Sequence, residues 1–554
     1  MTLPIAQSPL DQAALWNFNN LRPSILDDAV ERAENELSGS SMDVLLGEAL
    51  YSERVRLKRN KTNIFTRGRA SRDRALWSKV QAGLLKPSAE VDRRNLLNQV
   101  LRHYAEEIGG HFNPEIYKFT THAVPFGFSW LLNAASIRQF VPWNLKESVQ
   151  SRLNITGEVD ALRRLAEKGT ILMVPTHQSN IDSIMIGYVI HLMSLPPFAY
   201  GAGLNLFSNP VLSFFMNNLG AYTVDRQKTN VIYKHVLKDY STRILHEGVH
   251  SIFFPGGGRS RSGAIESRLK LGLLGTALDA QLQNHLKGSP KPNVYVVPMV
   301  TSYHFVLEAG SLIEDYLAES GKHHFIITDD ESWQFQKVLS FFWKFFRSQS
   351  KVNVRIGRPL DIFGNFVDEE GRSLGPNGTT IDPKRWLTTH GELRAEPQRD
   401  RQYTLELGNR IVERFHRENT VLTSHLVAWA FFETLRKQYP DLDLYRFLRL
   451  SLPQRSLPYQ NFMIEAERWH AIVRKAADQG AFNLTNELKY ADTAKWVSDG
   501  VQQLGLLHDA AVVKIQEGAI WTEDMNLLYY YRNRLTGFGL NGVKGQDDQK
   551  GFLA

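Results

Sequence analysis

Apolar residues follow two different rhythms along this chain, and the change of rhythm marks its organisation. From about residue 25 to 150 they recur at helical spacing, as in the stretch Asp92–Ile108, so one stripe of each helix can face a core. Pro23 and Ser24 stand before ILDDAVERAENEL and read as a helix start. From about 155 to 360 short apolar runs, TILMVPTH, HSIFFPGG, VYVVPMVTSY and KVNVRIG, alternate with longer helix-like stretches. That alternation predicts an α/β fold. The first three runs end against polar or glycine-rich residues, and strand ends are where α/β proteins carry their chemistry. Residues 361–385 form a polar, glycine-rich loop. Helical spacing then resumes to about residue 540, and the final NGVKGQDDQKGFLA reads as a frayed end.

The predicted organisation is therefore a helical N-terminal domain over 1–150, an α/β domain over 151–375, and a helical C-terminal domain over 376–554. Composition narrows the chemistry. The chain is 43% apolar and 22% charged, which places it among globular proteins. It has no cysteine, which excludes disulfides, cysteine metal sites and cysteine nucleophiles together. Its net charge of +7 favours anionic partners such as phosphates, coenzyme A or anionic lipid. The basic residues are interspersed with acids and form no stripe, so nucleic acid is not an expected partner.

No window holds 18 uninterrupted apolar residues; the nearest, Ile184–Tyr200, contains His191 and ends in Pro196 and Pro197. No transmembrane helix is predicted, and MTLPIAQSPLDQ at the N-terminus has no signal-peptide pattern. Two aromatic segments keep membrane contact open. FGFSWLL (126–132) and VLSFFWKFFRSQSK (338–351) each read either as buried helix or as a surface lying against lipid.

Four segments can carry chemistry. In Thr176-His177-Gln178-Ser179-Asn180-Ile181-Asp182 a histidine can take a proton from a hydroxyl near neutral pH, and a carboxylate can hold its other ring nitrogen. The spacing alone is weak, since His324 and Asp329 repeat it in a strand-like run with no glycine loop nearby. In Phe254-Pro255-Gly256-Gly257-Gly258-Arg259-Ser260-Arg261-Ser262-Gly263, three glycines let backbone amides approach an anion, and two arginines add phosphate-matching forks. A solvated surface loop is the competing reading. The other two segments are GAGLNL (201–206) with LGAYTVDR (219–226), and VVPMVTSY (296–303) with Glu308 beyond it. Alone, both are ordinary strands and turns.

Taken in order, these blocks resemble the glycerol-3-phosphate acyltransferase family, within the glycerolipid acyltransferases that carry a His-x4-Asp motif. THQSNID is similar to the first block, GAGLNL and LGAYTVDR to the second, FPGGGRSRSG to the third and VVPMVTSY to the fourth. The resemblance covers roughly residues 170–310. It implies a mixed central sheet flanked by helices, with helical regions at both ends. It implies transfer of a fatty acyl group from acyl-CoA or acyl carrier protein to the sn-1 hydroxyl of glycerol 3-phosphate, the first step of phospholipid biosynthesis. His177 would be the general base and Asp182 its orienting partner. Arg226, Arg259 and Arg261 would hold the acceptor phosphate, Lys270 would assist, and Gly257, Gly258 and Ser260 would shape the loop. No metal or cofactor is implied beyond the acyl donor. Amphiphilic substrates imply a peripheral protein on the cytoplasmic face of a membrane. Dihydroxyacetone phosphate or a lysophospholipid as acceptor, or a catalytically weakened lipid-binding homologue, are the alternatives.

Two positions depart from the family pattern. The third block carries glutamate where this chain has Gly256, and the second block ends in two basic residues where this chain has Asp225-Arg226. The expectation is that Asp225 takes over the missing carboxylate's pairing with the arginines, which would otherwise repel one another.

Overall fold

A computed structural model describes residues 14–59, 67–86, 89–121, 152–207, 210–321, 351–505, 508 and 510–540. The segments 126–132 and 338–350, the His324/Asp329 pair and the tail 541–554 lie outside the described residues. Four helices come first: α1 (Phe18–Leu37), α2 (Met42–Arg59), α3 (Arg67–Leu84) and α4 (Glu90–Ile108). α1 begins ahead of the expected start, with Pro23 inside it. Leu15 and Phe18 are buried and anchor this earlier start. The Asn19 side chain adds a tie, donating to the Phe112 carbonyl at 2.6 Å.

The α/β region holds β1 (Leu153–Gly157), α5 (Val159–Lys168), β2 (Thr170–Pro175), α6 (Asp182–Leu192), β3 (Ala199–Gly203), β4 (Ala221–Val224), α7 (Val231–His246), β5 (Ser251–Ile252), α8 (Thr276–Leu286), β6 (Val294–Tyr303), α9 (Ala309–Gly321) and β7 (Val352–Ile356). They build a seven-stranded sheet in the order β1-β7-β6-β2-β5-β3-β4. β6 and β7 pair antiparallel and the other neighbours parallel, so the sheet is mixed as expected. β2 and β6 are buried at every position. This is why TILMVP and VYVVPMV are continuous apolar runs without alternation, because helices cover both faces of the sheet.

The N-terminal helices share a core with the far edge of this sheet. Phe18, Ile25, Trp77, Leu101 and Tyr104 pack with Tyr222 of β4 and Tyr233, Val236 and Tyr240 of α7. A buried ionic network lies in the same interface. Arg56 reaches Glu53 at 2.6 Å and Asp73 at 2.5 Å, and His103 Nε2 meets Asp73 at 2.8 Å. Lys228, in the loop after β4, joins Glu107 and lies 3.7 Å from Asp73. Buried charges of this kind persist only when paired. The loop that carries Arg226 is thus anchored from one side by helices far upstream in the chain.

The C-terminal region contains α10 (Pro397–Glu418), α11 (Thr423–Lys437), α12 (Tyr459–Asp478) and α13 (Met525–Arg532). It is not helical throughout. Ser456–Pro458, Ala519–Trp521 and Lys514–Gln516 form a small antiparallel sheet. Its hairpin turns on Glu517 and Gly518, both with positive φ (53° and 76°), the two-residue geometry that matches strand twist. α11 is buried along nearly its whole length and shares the main core with β2, β6 and α6.

The end of this region closes on the glycine-rich loop. Asn533 donates to the Ser262 carbonyl at 2.9 Å. Gly263 has φ +83°, and a Cβ there would lie 2.2 Å from the Tyr530 carbonyl oxygen. Gly263→Ala therefore combines a disfavoured conformation with a backbone clash, and should cost about 1–3 kcal/mol of stability. Thermal melting checks this; a melting temperature equal to the wild type would refute the contact.

Candidate active site

The first block sits where β2 ends. Thr176 continues the strand, its N–H donating to the Met299 carbonyl at 2.9 Å, and the chain then turns so that Asp182 opens α6. A carboxylate in the first turn of a helix is favoured by the exposed amide dipoles there. Asp182 is fully buried. Its Oδ2 accepts from His177 Nδ1 at 2.9 Å, from Gln178 N at 2.7 Å and from Ser179 N at 2.9 Å. Its Oδ1 accepts from the Tyr303 hydroxyl at 2.5 Å. Burial and the adjacent carboxylate push the Tyr303 phenol well above its ordinary value, so it stays a donor.

With Asp182 on Nδ1, the neutral His177 ring presents Nε2 as its basic nitrogen. The ring stacks on Phe254 at 4.1 Å between centroids and remains slightly exposed. The backbone around it is held on every side. Ser260 N donates to the His177 carbonyl at 2.7 Å, His177 N donates to Glu266 Oε1 at 2.7 Å, and Gln178 Nε2 donates to the Thr301 carbonyl at 2.7 Å. The arrangement can take a proton at Nε2 and stabilise the imidazolium that results.

The second and third blocks meet beside it. Arg226 is exposed, and a Cβ on Gly258 would lie 3.8 Å from its Nη1. Partial desolvation, then the charges of Arg259 and Arg261, hold its guanidinium below the ordinary value. Arg259 faces Glu308 at 3.4 Å and Arg261 faces Glu319 at 2.6 Å. Lys270 folds over Gly257, where an added Cβ would sit 2.5 Å from its Cδ, and its N–H donates to the Pro255 carbonyl at 2.7 Å. Ser260 Oγ donates to the Ala264 carbonyl at 2.6 Å and so shapes the loop from within. Every residue expected from the sequence thus gathers around the ends of β2, β4 and β5.

Residues 156–302 match the acyltransferase family. That segment holds the seven-stranded sheet's strands from β2 to β6, up to Ser302, together with the four sequence blocks. A glycerol-3-phosphate acyltransferase of Ectopseudomonas mendocina (strain ymp) is 27% identical over 308 residues, 54% of this chain and 33% of the relative. One from Pasteurella multocida (strain Pm70) is 34% identical over 230 residues, 41% of this chain and 26% of the relative. One from Pseudomonas entomophila (strain L48) is 24% identical over 450 residues, 80% of this chain and 44% of the relative. The aligned part of the chain spans less than half the length of each of these curated relatives.

One expectation for this site fails. Asp225 does not pair with the arginine cluster. Its carboxylate points away, 3.8 Å from Arg56, and accepts from Gln227 N at 2.9 Å. Asp225 is buried and Arg226 exposed, because the chain leaves β4 at Val224 and turns at Arg226 and Gln227. Three further groups pack around the site, Glu308 just beyond the fourth block and two with no motif to announce them. Glu308 accepts from Ser179 Oγ at 2.8 Å and Asn180 N at 3.1 Å, tying the first block to Arg259. Arg534 is buried and donates to the Thr301 carbonyl at 2.8 Å. The third is Glu266.

Burial pushes the Glu266 carboxyl up to about 7, against the lowering effect of the His177 N–H. A carboxyl raised in the folded state binds its proton more tightly there than in the unfolded chain. Its contribution to stability is complete below the unfolded value near 4.5 and is lost as pH climbs through about 7. Melting temperatures of wild type and Glu266→Gln between pH 4.5 and 8 should diverge, the wild type losing ground as pH rises. Parallel curves would contradict the assignment.

Proposed function

We propose that this chain transfers a fatty acyl group from acyl-CoA or acyl carrier protein to the sn-1 hydroxyl of glycerol 3-phosphate. The observation that carries the reading is the buried Asp182 on Nδ1 of His177, with Arg226, Arg259 and Arg261 gathered on the neighbouring loops. The relatives named above are glycerol-3-phosphate acyltransferases, which supports the acceptor.

In this reading the arginines hold the acceptor phosphate by charge-assisted hydrogen bonds. His177 Nε2 takes the proton of the acceptor hydroxyl as its oxygen attacks the thioester carbonyl. Asp182 stabilises the imidazolium. The tetrahedral intermediate collapses, the carbon–sulfur bond breaks, and the imidazolium returns the proton to the departing thiolate. The products are 1-acyl-glycerol 3-phosphate and the free thiol, with no covalent enzyme intermediate. No metal takes part in this scheme.

Among the described residues no helix is long and apolar enough to cross a membrane. The amphiphilic donor and product suit an enzyme working at a membrane surface from the cytoplasmic side.

Acyl transfer from palmitoyl-CoA to labelled glycerol 3-phosphate tests the proposal. His177→Ala should lower kcat at least ~100-fold. Absence of transfer by the wild type with several donors and acceptors would favour a non-catalytic lipid-binding homologue. Arg226→Ala should raise KM for glycerol 3-phosphate roughly 10- to 100-fold, the equivalent of one lost charged hydrogen bond. An unchanged KM would remove Arg226 from the phosphate site.

A further inference from the structure

Position 256 is glycine in the loop that faces His177, and the space beside it is already filled. A Cβ built on Gly256 would lie 3.0 Å from Glu266 Cγ and 3.5 Å from Glu266 Oε1. Any side chain at 256 therefore contends with the Glu266 side chain itself. The Glu266 carboxylate has a definite task there, because Oε1 takes the backbone N–H of His177 at 2.7 Å. Its Oε2 is sealed from solvent and makes no hydrogen bond among the described residues. The nearest charges acting on it are Arg534 and Asp182.

We infer that Glu266 is the positioning residue that sets the His177 backbone, and that Gly256 is the vacancy its side chain requires. This rests on the acyl-transfer reading of the same site and deepens it. A glutamate at 256, as the third block of the resembling family carries, has its Cβ near enough to Oε1 for its own carboxylate to reach the same spot. The carboxylate in this chain arrives from ten residues further on, and the glycine is the complementary half of that relocation. Gly256 is then not a mark of a weakened site, and Asp225 is not needed as its substitute. The neighbouring hydrogen bonds fix the register: Ser260 N to the His177 carbonyl and Lys270 N to the Pro255 carbonyl hold the two ends of the segment that delivers Glu266.

Five proteins decide it: wild type, Glu266→Ala, Glu266→Gln, Gly256→Glu, and the double variant Glu266→Ala with Gly256→Glu. Each is assayed for kcat and KM with palmitoyl-CoA and glycerol 3-phosphate. A displacement of about 1 Å at the base costs on the order of 100-fold in rate. Glu266→Ala should therefore lose roughly that factor in kcat, with KM for glycerol 3-phosphate little changed. Gly256→Glu alone should also lose activity, because two carboxylates contest one space. The double variant should be at least about tenfold more active than Glu266→Ala, a sign reversal that independent sites do not give. Glu266→Gln keeps an oxygen acceptor and should recover most of the loss seen with alanine. A double variant no better than Glu266→Ala, or a glutamine variant as poor as alanine, overturns the inference.

The same proteins also separate this inference from the acyl-transfer reading. If the wild type transfers no acyl group, that reading fails while melting temperatures still test the shared space. A double variant melting above both single variants supports it; additive losses overturn it.

Discussion

The site depends on one buried carboxylate. Asp182 has no exposure to solvent, so its charge must be neutralised by the groups around it. It is met by the imidazole of His177, two backbone amides and a phenol. Each partner is thereby fixed by the others. The amides define the turn between β2 and α6, the phenol ties that turn to the end of β6, and the imidazole is left with a single basic nitrogen. The central strands are buried on both faces, which keeps these strand ends rigid relative to one another.

Around that carboxylate the protein keeps two groups of charge apart. On the helical N-terminal side, acids and bases are paired inside the interface: Glu53 and Asp73 with Arg56, Glu107 with Lys228. At the strand ends, Arg226 lies beside the glycine-rich loop that carries Arg259 and Arg261, and Glu308 and Glu319 face those two from the turn before α9 and from α9. Asp225 and Arg226 are adjacent in sequence and belong to different groups. The first completes a structural network, and the second contributes to an excess of positive charge suited to a phosphate.

Much of this was legible from the chain alone, and the limits have physical causes. TILMVP and VYVVPMV announce buried strands because burial on both faces removes alternation. The His-x4-Asp spacing works because a strand, a short turn and a helix start bring the two side chains together in so few residues. The glycine-arginine loop declares itself by composition. Asp225 and Arg226 are neighbours in sequence, but the turn after β4 sends their side chains to different partners. Glu266 and Arg534 gave no signal. A single glutamate between Ile265 and Ser267 looks like any loop acid, and nothing about an arginine near the chain's end points to a carbonyl 233 residues earlier. Such long-range partners are products of the tertiary fold and are invisible to local pattern.

The latch between the C-terminal segment and the glycine-rich loop has a consequence for biosynthesis. Asn533 reaches Ser262 across 271 residues, and the Tyr530 carbonyl fills the place a side chain at 263 would need. At translation speeds of about 5–20 residues per second, the ribosome needs roughly 14–54 s to travel from one to the other. During that interval the sheet can already be assembled, while the loop that faces His177 still lacks its backing. The nascent chain therefore acquires the sheet before the segment carrying Tyr530 and Asn533 that backs this loop.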